Sequence, residues 1–385
     1  MDWVLERVAQ TLRLEGQVIR SIDLPALRSD LELRLGRASA TEASELNFEL
    51  ELVTFLQDWF DESTELTVKT SGSTGTPKLM LVSKERMMRS AQLTLEFLQL
   101  APNDAALLCM PLDYIAGKMM VVRALVGGLD LYPVAPCGHP LQHCERHFAF
   151  AAMIPLQVFN SLQDEVETQR LRSIEQLIIG GGSIDAALER ALYDFPHQVW
   201  STYGMTETLS HIALRRINGP EASLFYQPFA QVQLSLSPEN TLVIDAPLVA
   251  EQQLVTNDIV VFNEQGQFRI KGRKDNVINS GGIKLQIEEL EAKIKALAPS
   301  WDFQISAQEH PKFGQVVVLL ITRSSLPATA VVTSYLEQVL QDLPRFERPK
   351  RYVVLEALPR TGTNKPDRAS ARRLAQAASS ELFAH

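Results

Sequence analysis

The chain has 385 residues, a net charge of −9 and 45% hydrophobic side chains. It is long enough for two or three domains and lacks the basic excess of a nucleic-acid binder. Three cysteines argue against a disulfide framework and fit a reducing compartment. No apolar run nears the roughly 20 residues of a membrane span, and Met1-Asp2-Trp3-Val4-Leu5-Glu6-Arg7 lacks a signal-peptide layout, so the expected location is cytoplasmic.

Residues 1–60 read mostly as helix, with Leu46, Leu50, Val53 and Trp59 among the apolar positions. Between two short apolar runs (Leu66/Val68 and Leu79 to Val82) lies Thr70-Ser71-Gly72-Ser73-Thr74-Gly75-Thr76-Pro77-Lys78. Glycine lets successive backbone N–H groups converge on one anion, and the hydroxyls and lysine add donors and charge. Such a loop suits phosphates; a flexible hairpin loop is the alternative. It is not a Walker A loop, because Pro77 replaces the second glycine and Leu79 the magnesium-binding hydroxyl.

Met88, Ala91, Leu95 and Leu98 then recur at helical spacing, and Pro102-Asn103-Asp104 ends that helix. Ala105 to Met110 reads as a buried strand, Ile115 to Val126 as a helix and Leu129 to Val134 as a strand. A helix around Leu156 to Gln163, strand Ile174 to Ile179, a helix after Ser183 and strand Gln198 to Tyr203 continue the alternation. That pattern predicts an α/β fold with a largely parallel sheet. Ile212 to Ile270 reads as a small β-rich region. From Asp275 a further unit follows: helix Gln286 to Leu297, strand Gln315 to Thr322, helix Ala328 to Leu340, strand Arg351 to Leu355.

Three more constellations carry chemistry. Ser201-Thr202-Tyr203-Gly204-Met205-Thr206-Glu207-Thr208 follows a predicted strand, where α/β folds bind ligands. Tyr203 offers a flat face for a purine, Thr206 a hydroxyl for phosphate and Glu207 a hard oxygen for magnesium; a tight turn with a buried tyrosine is the plainer reading. Gly272-Arg273-Lys274-Asp275, with Asn279-Ser280-Gly281-Gly282-Ile283-Lys284 and Glu288-Glu289 behind it, suits a hinge with a ligand-facing loop, or an ordinary solvated linker. Leu358-Pro359-Arg360-Thr361-Gly362-Thr363-Asn364-Lys365-Pro366 places a lysine in a loop. Alone, such a lysine is more often surface.

Together these motifs, in this order over residues 66–368, resemble the superfamily of adenylate-forming enzymes, which comprises acyl- and aryl-CoA synthetases, adenylation domains and luciferases. The resemblance implies a large N-terminal α/β portion with mixed sheets, here with a shortened N-terminus, and a small α+β C-terminal domain. The implied boundaries are 1–272, a hinge at 273–276 and a mobile unit at 277–385. It implies ATP, Mg²⁺ and coenzyme A as cofactor and co-substrates. Thr70 to Thr76 and Lys78 would grip the ATP β- and γ-phosphates. Gly180, Gly181 and Gly182 would line the acyl and adenine pocket, and Tyr203, followed by Gly204, would stack on adenine. Thr206 would contact the α-phosphate or the carboxylate, and Glu207 would bind Mg²⁺. Asp258 would hold the ribose with Arg273 assisting, Asp275 would be the hinge, and Lys365 would bridge the attacking carboxylate and the α-phosphate. Gly281, Gly282 and Lys284 would meet the pantetheine of CoA.

Within the superfamily, Tyr114-Ile115-Ala116-Gly117-Lys118 and Thr206-Glu207-Thr208-Leu209-Ser210-His211-Ile212 look most like the CoA ligases that act on o-succinylbenzoate in menaquinone biosynthesis. That acid has two carboxylates, one activated and one needing a partner. Lys118 is the first candidate, with Tyr114 and Gly117 in the same acyl pocket and Arg123 or Arg215 next; a solvent-facing helix-start lysine is the alternative. Tyr114 stands where many members have histidine. Asn364 and Asn257 precede Lys365 and Asp258 where glycine is common, and both tolerate positive φ. Loading an acid onto a carrier protein and a non-catalytic nucleotide-binding role are the competing functions. The expected partners are small molecules, with no nucleic acid and a homodimer possible. Cys137, His139, His143, Cys144 and His147 crowd eleven residues without the usual zinc spacing, so no metal is expected there.

Overall fold

The computed structural model describes residues 7, 9–69, 79–182, 184–327, 331–361, 366–377 and 381–382. The phosphate-loop residues 70–78 and Lys365 therefore lie outside the described residues. The N-terminal stretch forms β1 (Leu12–Leu14), β2 (Gln17–Ile19), α1 (Leu24–Leu35) and α2 (Ala40–Phe60). The mostly helical expectation thus misses a short hairpin, whose three-residue strands are too brief to show a period. Ser39 caps α2 by accepting from Glu42 N while the Glu42 carboxylate accepts from Ser39 N, a reciprocal arrangement that satisfies two end donors. The other end of α2 is capped by buried cations: Arg7 donates to Trp59 O, and Lys84 Nζ to Asp58 O and, at 2.6 Å, to Asp61 Oδ1.

The hairpin β3 (Glu65–Lys69) and β4 (Leu79–Ser83) brackets residues 70–78. It leads into α3 (Lys84–Leu98), which Ser83 caps and which buries Met87, Met88, Ala91, Leu95 and Leu98 on one face. β5 (Ala105–Leu108), α4 (Ile115–Gly127), β6 (Asp130–Pro133), β7 (Phe150–Met153), α5 (Pro155–Ser161), α6 (Glu165–Arg172), β8 (Gln176–Ile179), α7 (Ala186–Leu192) and β9 (Gln198–Gly204) follow. β10 (His211–Arg216) and β11 (Gln227–Pro228) complete a nine-stranded sheet ordered β11-β10-β9-β8-β7-β5-β6-β1-β2. Its centre, from β9 to β1, is parallel, and its edges are antiparallel. β7 was not foreseen: Phe150-Ala151-Ala152-Met153 is wholly buried and has no alternation to read.

This strand order indicates where a candidate site is expected. From β5 the chain steps to β6 on one side, then crosses to β7 on the other, so the sheet reverses between β5 and β7. A crevice opens at the carboxyl ends of strands flanking such a reversal. The loops leaving β5, β8 and β9 are those that carry Tyr114, Gly180 and Thr206.

β12 (Gln233–Leu236), β13 (Thr241–Asp245), β14 (Leu254–Phe262) and β15 (Phe268–Arg273) form an antiparallel meander. The last sheet has six strands: β16 (Val277–Ser280), β17 (Ile283–Gln286), β18 (Phe303–His310), β19 (Gly314–Thr322), β20 (Arg351–Leu355) and β21 (Glu381–Leu382). Side chains of β19 alternate between two cores. Val317, Leu319 and Ile321 join α8 (Ile287–Leu297) and α9 (Val332–Leu340); Val318 and Leu320 meet α10 (Arg368–Ala377). β16, β17, β18 and α10 were not foreseen. Gly281 and Gly282, at φ 60° and 85°, make the two-residue turn between β16 and β17, a backbone that favours glycine at both places.

Candidate active site

Tyr203 lies near the end of β9, buried, with its ring edge-on to Phe268 at 5.0 Å. Its hydroxyl donates to Asp258 Oδ2 at 2.6 Å. Burial first, and then the Asp258 charge, pushes the phenol well above its ordinary range, so it stays a donor. Asp258 is brought from β14, where Thr256 Oγ1 accepts from its backbone N–H. Arg273 at the end of β15 pairs opposite Asp258 in register and donates to Asp258 Oδ1 at 3.2 Å. The same guanidinium donates to both Asp275 oxygens at 3.0 and 3.1 Å. One cation thus links a buried carboxylate to a carboxylate at 273–276, and the Asp275 hydrogen bonds chiefly hold the guanidinium above its ordinary range. Four residues separated by up to 72 positions form one chain, although no local pattern joins them.

The turn after β9 is a short 3₁₀ segment, Thr206–Thr208. Thr208 Oγ1 accepts from Met205 N at 3.1 Å and donates to Ser210 O at 2.8 Å, which locks the turn. Leu209 completes it at φ 65°, ψ −38°, a strained backbone for a leucine, held by burial of its side chain. The turn presents Thr206, half-buried, and Glu207, exposed. Glu207 makes no hydrogen bond or ion pair among the described residues, and its exposed hard oxygens are of the kind that fits Mg²⁺, which is commonly held by one or two carboxylates plus substrate phosphates. Gly180 sits at the end of β8 beside Thr202, with Gly181 and Gly182 exposed on the rim.

The loop leaving β5 reaches Tyr114, the residue preceding α4. Lys69, the last described residue before 70–78, bridges Tyr114 in parallel fashion and pairs with Asp113 at 2.6 Å. Gly117 is in close contact with this loop: a Cβ there would sit 2.3 Å from Pro111 O. Lys118 is half-buried with its ammonium 5.2 Å from the centre of the Phe55 ring, on the α2 side, and burial lowers its pKa. Arg123, five residues on along the same helix, is almost fully buried. It donates to Ser210 Oγ at 2.6 Å and touches Met120 Sδ at 3.7 Å, and its Nε has no partner among the described residues. No carboxylate accompanies it among the described residues, and desolvation pushes its pKa down to about 9. Arg215, by contrast, is paired with Glu189. The Gly281-Gly282 turn and Lys284 are exposed at the hairpin tip of the last sheet. His139 is engaged with Glu167 at 2.7 Å. Thr94 and Ser210 were not singled out from sequence as site residues; a polar residue on the buried face of α3 was the available signal for Thr94.

Comparison with known proteins decides the family. The AMP-binding enzyme profile matches residues 66–237. An acyl-CoA synthetase (AMP-forming)/AMP-acid ligase II-like protein from Dyadobacter fermentans is 31% identical, over 84% of this chain and 93% of that one, with a TM-score of 0.58. The chain belongs to the AMP-binding enzymes. Among curated relatives of this AMP-binding enzyme, the 2-succinylbenzoate–CoA ligase of Salmonella typhimurium is 24% identical over 94% of this chain and 80% of its own length. The o-succinylbenzoate CoA synthetase of Bacillus subtilis, solved with its acyl-adenylate intermediate, covers 99% of both chains at a TM-score of 0.72 and 17% identity. That likeness shows that the AMP-binding enzyme shares its fold. No described helix is long and apolar enough to cross a membrane.

Proposed function

We propose that the chain is an ATP-dependent acid–CoA ligase and that its acid is o-succinylbenzoate. The observation that carries the substrate is Arg123, a buried cation with no carboxylate beside it among the described residues. An unpaired buried charge costs several kcal/mol, and a ligand that brings its own second carboxylate offsets this. Relatives named for 2-succinylbenzoate support the same acid. Arg123 is preferred to Lys118, which stands over an aromatic ring, and to Arg215, which already holds a glutamate.

In the first half-reaction a carboxylate oxygen of the acid attacks the ATP α-phosphorus and pyrophosphate leaves. Residues 70–78 grip the departing phosphates, and Thr206 donates to the α-phosphate. Asp258 accepts from the ribose hydroxyls, held in place by Tyr203 and Arg273, and Gly180 to Gly182 leave room for the adenine beside Tyr203. Glu207 is the residue that would hold Mg²⁺, which supplies positive charge against the phosphates. Lys365 offsets the repulsion between the two anions that must meet. In the second half-reaction the CoA thiolate attacks the acyl carbon and AMP leaves. The unit from 277 turns about 273–276, withdrawing Lys365 and bringing Gly281, Gly282 and Lys284 to the pantetheine.

The test is pyrophosphate release over candidate acids with and without CoA. Release with o-succinylbenzoate and not with the analogue lacking its ring carboxylate is expected, and Arg123→Met raises KM for the diacid by about 10²-fold, as loss of a buried charge partner does. Equal turnover of both acids overturns the substrate assignment.

A further inference from the structure

Behind Arg123 lies a chain of polar groups that the two half-reactions leave unused. Arginine only donates, so Ser210 Oγ, 2.6 Å from Nη2, must accept and send its own proton elsewhere. Its other neighbour is His211 Nδ1 at 3.3 Å. His211 Nε2 faces Thr94 Oγ1 at 3.1 Å, and Thr94 Oγ1 lies 3.3 Å from Ser90 O, a helix carbonyl that only accepts. One arrangement satisfies every group within the chain and sends no proton to solvent: Arg123 donates to Ser210, Ser210 to His211 Nδ1, His211 Nε2–H to Thr94, and Thr94 to Ser90. The tautomer of His211 follows from this accounting.

The chain crosses from α4 through β10 to α3, and its side chains are buried apart from a partly exposed Ser210. His211 also meets the Phe229 ring edge-on at 5.4 Å. Burial first, and Arg123 second, hold the imidazole neutral. Neutrality matters, because an imidazolium would point a second donor at Ser210 and a second positive charge at Arg123. In the neutral form the chain neutralises none of the guanidinium charge and fixes where it points.

We propose that His211 and Thr94 are positioning residues for the acid: through Ser210 they aim Arg123 at the second carboxylate, and so set the preference for a diacid without touching it. This rests on the reading of Arg123 given above. A guanidinium free to swing would still attract a carboxylate but would lose the geometric gain of a preorganised site.

The test uses the full chain, with KM and kcat for o-succinylbenzoate, KM for ATP, and calorimetric Kd values for o-succinylbenzoate and its analogue lacking the ring carboxylate. His211→Leu and Thr94→Val are expected to raise KM and Kd for the diacid about tenfold, equivalent to about 1.4 kcal/mol. They leave kcat, KM for ATP and Kd for the monoacid near wild type. His211→Asn, whose carbonyl can still accept from Ser210, recovers most of the loss. Unchanged diacid affinity in both variants, or equal losses for diacid, monoacid and ATP, overturns the proposal. Thr94→Val removes only one hydroxyl and carries the test if His211→Leu fails to fold. If Arg123→Met leaves diacid KM unchanged, the substrate reading itself fails; if only the His211 and Thr94 variants are silent, this inference alone does.

Discussion

Gly204 is the residue at which a single methyl group tests the site geometry. It ends β9 opposite His211 of β10, beside an irregularity in the pairing. A Cβ there would lie 2.2 Å from Ser210 O and 2.5 Å from His211 Cα. Both are backbone atoms, so no flexible side chain can move aside. Reaching ordinary contact requires the two strand ends to part by about 1 Å. Ser210 O already accepts from Thr208 Oγ1 at 2.8 Å, so that movement also loosens the turn presenting Thr206 and Glu207. Overpacking of this kind costs about 1–3 kcal/mol, and immobile neighbours place Gly204→Ala near 3 kcal/mol. A displacement of about 1 Å at reacting groups costs about 10²-fold in rate. Urea unfolding read by circular dichroism and single-turnover pyrophosphate release measure the two effects. A Gly204→Ala protein with wild-type midpoint and wild-type adenylation rate would refute the reasoning.

Lys365→Ala is expected to slow adenylate formation by at least about 10²-fold, the scale of losing one charge-stabilising donor, while sparing thioester formation from supplied acyl-adenylate. Equal loss in both half-reactions would contradict its role. Glu207→Gln should raise the magnesium concentration for half-maximal pyrophosphate release about tenfold, or about 1.4 kcal/mol, and an unshifted magnesium titration would exclude Glu207 as the ligand. His211 gives a pH signature. Its native pKa lies well below the ordinary 6.5, so as pH falls below 6.5 the unfolded chain gains a proton that the native one refuses. Its contribution to stability is full above 6.5 and declines below it by up to about 1.4 kcal/mol per pH unit. His211→Asn removes that slope; urea midpoints at a series of pH values that fall equally steeply in both proteins would show that His211 is not the group.

The alternation of apolar runs and turn residues is enough to give the α/β class, because strand and helix periods are local. It gives the loops after β5, β8 and β9 as well, since ligand-binding residues cluster where strands end. Boundaries moved by a few residues: the helix expected at 328–340 begins at Val332 among the described residues. Three of the missed elements carry no local signal. β1 and β2 have three residues each, and β7 is buried on both faces, so neither length nor alternation marks them.

Residue types and their order carry the chemistry proposed for this chain: a phosphate-gripping loop, a carboxylate for magnesium, a ribose aspartate and a lysine in a late loop. The tertiary structure alone decided which cation is buried with no carboxylate beside it among the described residues. Lys118 and Arg123 sit five residues apart on one apolar helix, and nothing local separates them. Packing places one against Phe55 and seals the other beside Ser210. Burial is a sum over neighbours distant in the chain, as is the Tyr203–Asp258–Arg273 linkage. Desolvation cost therefore appears only once the sheet has brought those neighbours together.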